Sequence, residues 1–184
     1  MFSKVSMKIS LIFISLGATL SWAQAASAET SRVLPTGSAV IEENYTSLSM
    51  FFSDDELSAL DEISTTIEIE QLVAVIEDPE VVGRDEIATR AVATRQNGCS
   101  FTPDRWGSAN FKPICDRHDI CYGPSSRTNR IDCDKRFRAG LIAECVRGYG
   151  SGVRSGACKG VAEAYYRGVR TAGSRFYKGR GLNN

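Results

Sequence analysis

The stretch Cys115-Asp116-Arg117-His118-Asp119-Ile120-Cys121-Tyr122 decides the reading of this chain. It sets the only histidine beside a carboxylate and between two cysteines. Pro113, just ahead, suits the first turn of a helix, and Cys115, His118 and Tyr122 recur at i, i+3 and i+7 on one face. Histidine takes and returns a proton near neutral pH without special tuning, so a single copy has no rival as general base. A lone histidine in a helix usually reads as a satisfied core or surface residue; the carboxylate, the tyrosine and the cysteines around this one are what point to chemistry.

Working outward, the turn-rich Gly123-Pro124-Ser125-Ser126 separates this helix from a second, predicted from about Asn129 to Arg147, whose buried stripe is Phe137, Leu141 and Cys145. At about 100° per residue, Asp134 falls inside the arc of that stripe and Asp132 points well away from it. A carboxylate facing a core needs a hydrogen-bonding partner there, and an imidazole on the neighbouring helix is suitable. A salt bridge from Asp134 to Lys135 or Arg138 is the plainer alternative. A third helix is predicted from about Cys158 to Phe176, where Cys158, Val161, Ala162, Tyr165, Tyr166 and Val169 keep amphipathic spacing. Gly148 to Gly156 reads as a loop with room for a short hairpin, and no alternating strand is evident, so the predicted class is all-α.

Upstream, residues 1–28 combine early lysines, the apolar block Leu11-Ile12-Phe13-Ile14-Ser15-Leu16 and small residues around Ala23-Gln24-Ala25, the pattern of a secretory signal peptide. A secreted, extracellular product is expected. The net charge of zero conceals two unlike parts. Residues 29–90 carry fifteen acidic against three basic residues, a balance of −12, with helix-like stretches at Asp54 to Ile63 and Ile67 to Ile76. Residues 91–184 carry seven acidic against seventeen basic, a balance of +10, and all six cysteines. The acidic part reads as a prosegment or partly ordered arm that covers the basic domain until cleavage after Arg90 or Arg95, with a solvated acidic tail as the alternative. A domain of about ninety residues usually needs staples, and six cysteines in an exported chain supply three disulfides. Fifteen pairings are possible by counting alone. The spacing Cys115-x-x-His118-x-x-Cys121 also matches half of a zinc site, against which export and cysteine number argue.

The Asn97-Gly98-Cys99 loop, the Cys-x-x-His-Asp-x-Cys-Tyr helix and the Cys133-Asp134 pair in Cys-Asp-x-x-Phe form together resemble the secreted phospholipase A2 superfamily, most closely its small prokaryotic and fungal members. The agreement runs from about Asn97 to Arg170. The resemblance implies a small disulfide-stapled domain with two antiparallel active-site helices and a third C-terminal helix. It implies the pairs Cys99–Cys115 and Cys145–Cys158, and Cys121–Cys133 as the bond that ties the two active-site helices in animal enzymes. It further implies calcium-dependent hydrolysis of the sn-2 ester of glycerophospholipids. His118 and Asp134 are then the catalytic dyad, Tyr122 an orienting hydroxyl, and Asp119 with Asn97 and Gly98 the calcium ligands. Several bacterial relatives carry an aspartate where this chain has Asn97, so one carboxylate is expected where they have two, and a weaker ion site with it.

Arg167, Arg170, Arg175, Lys178 and Arg180 crowd the C-terminal helix and tail. They suit adsorption to an anionic phospholipid membrane or micelle surface. Nucleic-acid binding is not expected, since export and the lack of a groove-reading motif count against it, and nothing demands more than a monomer. The alternative function is a catalytically weak, phospholipase-like protein that binds membranes or receptors, such as a toxin component.

Overall fold

The computed structural model describes residues 39–81, 98–100 and 102–184. The predicted signal peptide, the cleavage positions at Arg90 and Arg95, and Asn97 lie outside them. No helix among the described residues is long and apolar enough to cross a membrane.

The fold is helical. In the acidic part, two short helices, α1 (Ala39–Glu43) and α2 (Tyr45–Leu48), precede α3 (Asp54–Ile63) and α4 (Thr66–Glu77). Both α3 and α4 begin with a capping box: Ser53 and Thr65 accept the amide protons of Glu56 and Glu68, whose carboxylates reach back to the cap residues. The basic part holds α5 (Lys112–Tyr122), α6 (Arg130–Tyr149) and α7 (Val153–Ala172). Pro113 sits in the first turn of α5, as the sequence indicates.

Two local expectations are corrected. The hairpin does not lie in Gly148 to Arg154; it is formed by β1 (Arg105–Trp106) and β2 (Ala109–Asn110), paired antiparallel with Trp106 opposite Ala109. Its two-residue turn starts at Gly107, whose φ of 53° is the left-handed conformation such tight connections demand. Two residues per strand are too few for alternation to be seen. The third helix also starts at Val153, five residues before Cys158, because the loop is only Gly150-Ser151-Gly152, with both glycines at positive φ.

Contacts between α5 and α6 descend in step: Ile114 lies over Gly140, His118 against Phe137, and Cys121 is bonded to Cys133. The helices therefore run antiparallel. Disulfides join Cys99 to Cys115, Cys121 to Cys133 and Cys145 to Cys158, the pairs the resemblance implies. They occupy the thiols of Cys115 and Cys121, which removes the zinc reading.

The core joins the two unlike parts of the sequence. Leu48, Leu57, Leu60, Ile69 and Leu72 from the acidic helices share one buried cluster with Trp106, Phe111, Leu141, Val161 and Tyr165. Helix α7 makes room for them with small residues every fourth position: Gly156, Gly160, Ala164 and Gly168. A Cβ on Gly160 would lie 2.3 Å from the Phe52 ring, and one on Gly156 2.3 Å from Glu56 Oε1. Ion pairs Arg154–Glu62 and Arg175–Glu80 flank that contact.

Candidate active site

Asp134 projects from the first turns of α6 into a space closed by α5 and α7, and is fully buried. A lone buried carboxylate would be costly, and here both oxygens are met by donors. Oδ1 lies 2.9 Å from Nε2 of His118 and accepts the Tyr122 hydroxyl at 2.6 Å. Oδ2 accepts Nη1 of Arg170 at 2.6 Å, and Nη1 of Arg130 stands 3.6 Å away. Burial works to raise the Asp134 carboxyl pKa, but the bonds from His118, Tyr122 and Arg170 outweigh it and hold the group below its ordinary value. The carboxylate is charged and accepts only.

That fixes the imidazole. The ring nitrogen facing Asp134 must carry the proton, so Nδ1 is the basic nitrogen. Among the described residues nothing bonds to Nδ1. The ring is clamped between Tyr122 and Phe137, with centroids 4.2 and 4.5 Å away. Burial, and then the bond to Asp134, pushes the Tyr122 phenol well above the ordinary tyrosine range, so it remains a donor.

His118 borders a cavity of about 340 Å³ whose walls are mainly apolar: Phe137, Tyr165, Val169 and Phe176, with Val75 contributed by α4. Gly98, Cys99 and Asp119 line the same cavity. Loss of hydration pushes the Asp119 carboxyl above its ordinary value, the His118 charge opposing and Asp116 adding. No ion pair engages Asp119 among the described residues. A second cavity, about 480 Å³, also reaches His118 and is lined by Arg117, Ser126, Arg136 and the half of Phe137 shared with the first.

His118, Tyr122, Asp119 and Gly98 thus line one cavity, with Asp134 buried behind His118 and Tyr122, while Asn97 lies outside the described residues. Of the plainer partners for Asp134, Arg138 pairs with Glu163 instead, and Lys135 is exposed while Asp134 is fully buried. Of three further contributors, two escape a reading of the sequence and one does not. Asp104 accepts the Cys99 amide proton at 2.7 Å, and a Cβ on Gly98 would strike its carboxylate at 2.5 Å, so glycine is required where the loop folds over it. Arg130 lies one helical turn before Asp134, a spacing that does betray it. Arg170 comes from α7 and carries no local signal. The basic cluster expected at the surface is partly engaged by the chain itself: the half-buried Arg170 by Asp134, and, at the surface, Arg175 by Glu80 and Arg167 by the Phe51 ring.

Two antiparallel helices stapled to one another, a buried histidine–carboxylate pair between them and an apolar cavity alongside define a phospholipase-like helical domain. The sequence model of the prokaryotic phospholipase A2 family matches residues 81–173, about half of the chain, and the chain belongs to that family. It is similar to a secretory phospholipase A2 of Beauveria bassiana, 34% identical over 83 residues that span 42% of each protein. A secretory phospholipase A2 of Arthroderma benhamiae is 34% identical over 84 residues, 42% of this chain and 57% of that protein. The chain thus spans about half the length of these curated relatives. No solved structure matches.

Proposed function

We propose that the chain is a secreted, calcium-dependent phospholipase A2 that hydrolyses the sn-2 ester of glycerophospholipids to a lysophospholipid and a fatty acid. The observation that carries this reading is the His118 ring, which borders an apolar cavity with Nε2 2.9 Å from the charged Asp134 carboxylate and with Nδ1 left unbonded among the described residues. Nδ1 removes a proton from water as the water oxygen bonds to the ester carbonyl carbon. Asp134 keeps the ring in that tautomer and offsets the charge of the imidazolium. When the tetrahedral adduct collapses, the C–O bond to the glycerol oxygen breaks and the imidazolium returns its proton to that oxygen. Tyr122 fixes the carboxylate through a second bond to Oδ1.

The donor set suits a hard cation: a carboxylate without an ion-pair partner among the described residues, disfavoured as an anion where it stands, beside a loop held against the same cavity. Asp119, the Gly98 carbonyl and Asn97 would hold calcium, which when bound supplies positive charge for the developing oxyanion. The apolar walls receive an acyl chain. Phe176, 41% exposed at the cavity, together with Lys178, Arg180 and the exposed Leu182, supports docking on an anionic phospholipid surface. The acidic part, through Val75, forms one wall of the cavity and covers this side of the domain.

The test is release of fatty acid from mixed-chain phosphatidylcholine and phosphatidylglycerol vesicles by the oxidised chain, first with millimolar calcium and then with excess chelator. Release of the sn-2 chain alone, lost on chelation and in H118Q, is the expected result. Equal release by H118Q, or none by the native chain, would reject the mechanism.

A further inference from the structure

The segment after α7 does not trail into solvent. It runs along the connection between α5 and α6: Lys178 donates its amide proton to the Tyr122 carbonyl at 2.8 Å, Arg180 to Ser126 at 2.7 Å, and Arg130 donates its own to Leu182 at 2.8 Å. Asn129 Oδ1 accepts the Leu182 amide at 2.9 Å, and the Tyr177 hydroxyl donates to the Thr128 carbonyl. Tyr177 is buried against Tyr122 and Cys133, its ring edge-on to Tyr122 at 5.4 Å. Gly181 lies so close that a Cβ there would be 2.6 Å from the Thr128 carbonyl oxygen. At the end of this track, the main-chain oxygen of Asn184 accepts Nη1 of Arg170 at 3.0 Å, the same nitrogen that bonds Asp134 Oδ2.

The guanidinium of Arg170 is thus held from two sides, by the tail and by Asp134. Behind it, the buried Arg130 anchors the end of α7 through the Val169 and Arg170 carbonyls, both at 3.3 Å. Among the described residues Oδ2 has no other donor within hydrogen-bonding distance, because Arg130 is 3.6 Å away. A partial rotation of the carboxylate about its Cβ–Cγ bond would swing Oδ1 out of line with the imidazole; Tyr122 resists it at Oδ1 and Arg170 at Oδ2. The family match ends at residue 173, so the tail lies beyond the matched region.

We infer that Arg170, seated by the tail of residues 177–184, is a positioning residue that locks the Asp134 carboxylate in the rotation that serves His118. The inference rests on the hydrolase reading for its kinetic arm only. Arg170 does not line the cavity beside His118, so its loss should lower kcat and leave KM unchanged. A hydrogen bond between two charged groups sets the scale: R170M should lower kcat by about tenfold to a hundredfold. R170K, which keeps the charge and one donor, should recover part of that loss. G181A forces the tail off Thr128 without touching Arg170 or Asp134, and should lower kcat in the same direction by a smaller factor.

The chain has one histidine, so a sample labelled with ¹⁵N in histidine gives a single imidazole. Its Nε2 proton reports the bond to Asp134 in the resting protein, without substrate. The signal should shift or broaden in R170M and G181A and return toward the native position in R170K. An unchanged imidazole signal in folded R170M, or a native kcat, would overturn the role of Arg170. An unchanged signal in G181A alongside a shifted one in R170M would overturn the part assigned to the tail. Should the native chain hydrolyse no phospholipid, the function proposed above falls, and the imidazole spectrum still decides this inference.

Discussion

Replacing Gly160 by alanine puts the joint between the acidic and basic parts to a test of sign. In the interior of an ordinary helix this change stabilises by about 1 kcal/mol, because alanine has the higher helix propensity. Here the added methyl would sit 2.3 and 2.7 Å from Cε1 and Cδ1 of Phe52, a ring only 4% exposed and itself part of the shared core. Pushing a packed ring aside costs about 1–3 kcal/mol, and expelling it entirely would cost about 3–5 kcal/mol. The net expectation for G160A is destabilisation of up to about 2 kcal/mol, read from urea unfolding of the whole oxidised chain at constant m. In an F52A background the obstacle is gone, and the same change should stabilise by about 1 kcal/mol, giving a coupling of about 1–3 kcal/mol in the double-mutant cycle. A G160A variant that is more stable than the native chain would refute the packing of the acidic part on α7. The same packing bears on cleavage: Leu60, Ile69 and Leu72 contribute about 1.5–3 kcal/mol each by burial, against a typical total of about 5–15 kcal/mol. A protein cut after Arg90 or Arg95 should therefore keep both parts bound, and residues 91–184 expressed alone should not fold stably.

Calorimetric titration should find calcium binding in the range of about 10⁻⁴ to 10⁻³ M, as suits a site with few carboxylates, and none in D119N; affinity tighter than micromolar would mean that further carboxylates reach the ion. Replacing Cys121 and Cys133 together by serine opens a bridge with a sequence separation of 12 and should cost about 3 kcal/mol in urea unfolding; a loss under about 1 kcal/mol would show that the Asp134 cluster and the tail already hold the two helices. For acid stability the sign follows from Asp134, whose folded-state pKa lies below its unfolded value. Its stabilisation is complete above about pH 4 and disappears as pH falls through the lower folded-state value. The native chain should thus lose more stability than D134N between pH 7 and pH 2; Glu144, similarly lowered by Arg147, contributes to both proteins and cancels in the comparison.

What the sequence makes legible is the direction each side chain faces; what it meets there comes from elsewhere in the chain. Asp134 faces inward because Phe137, Leu141 and Cys145 do, and Asp132, half-buried, is left to Asn129. Arg130 is one turn from Asp134 on the same helix and belongs to the same readable pattern. Arg170 is 36 residues away, and on its own helix it looks like one more cation on a basic face. The acidic part follows the same logic. Ile69, Leu72, Val73 and Ile76 keep an inward periodicity along α4, but the row that α7 turns to the acidic part, with Gly156 against Glu56, Gly160 against Phe52 and Gly168 against Val75, offers no apolar bulk to notice. A helix face made of absent side chains is silent in hydropathy and decisive in packing. Charge is incomplete for the same reason: a balance of −12 suggests a cover over the basic domain and says nothing of the apolar residues between the outward carboxylates of α3 and α4, which complete the core and, through Val75, line the cavity beside His118. The residues that perform the proposed chemistry are therefore recognisable one helix at a time. Those that hold them in register, Arg170 and its tail on one side and the acidic helices on the other, become visible only when the helices are set against each other.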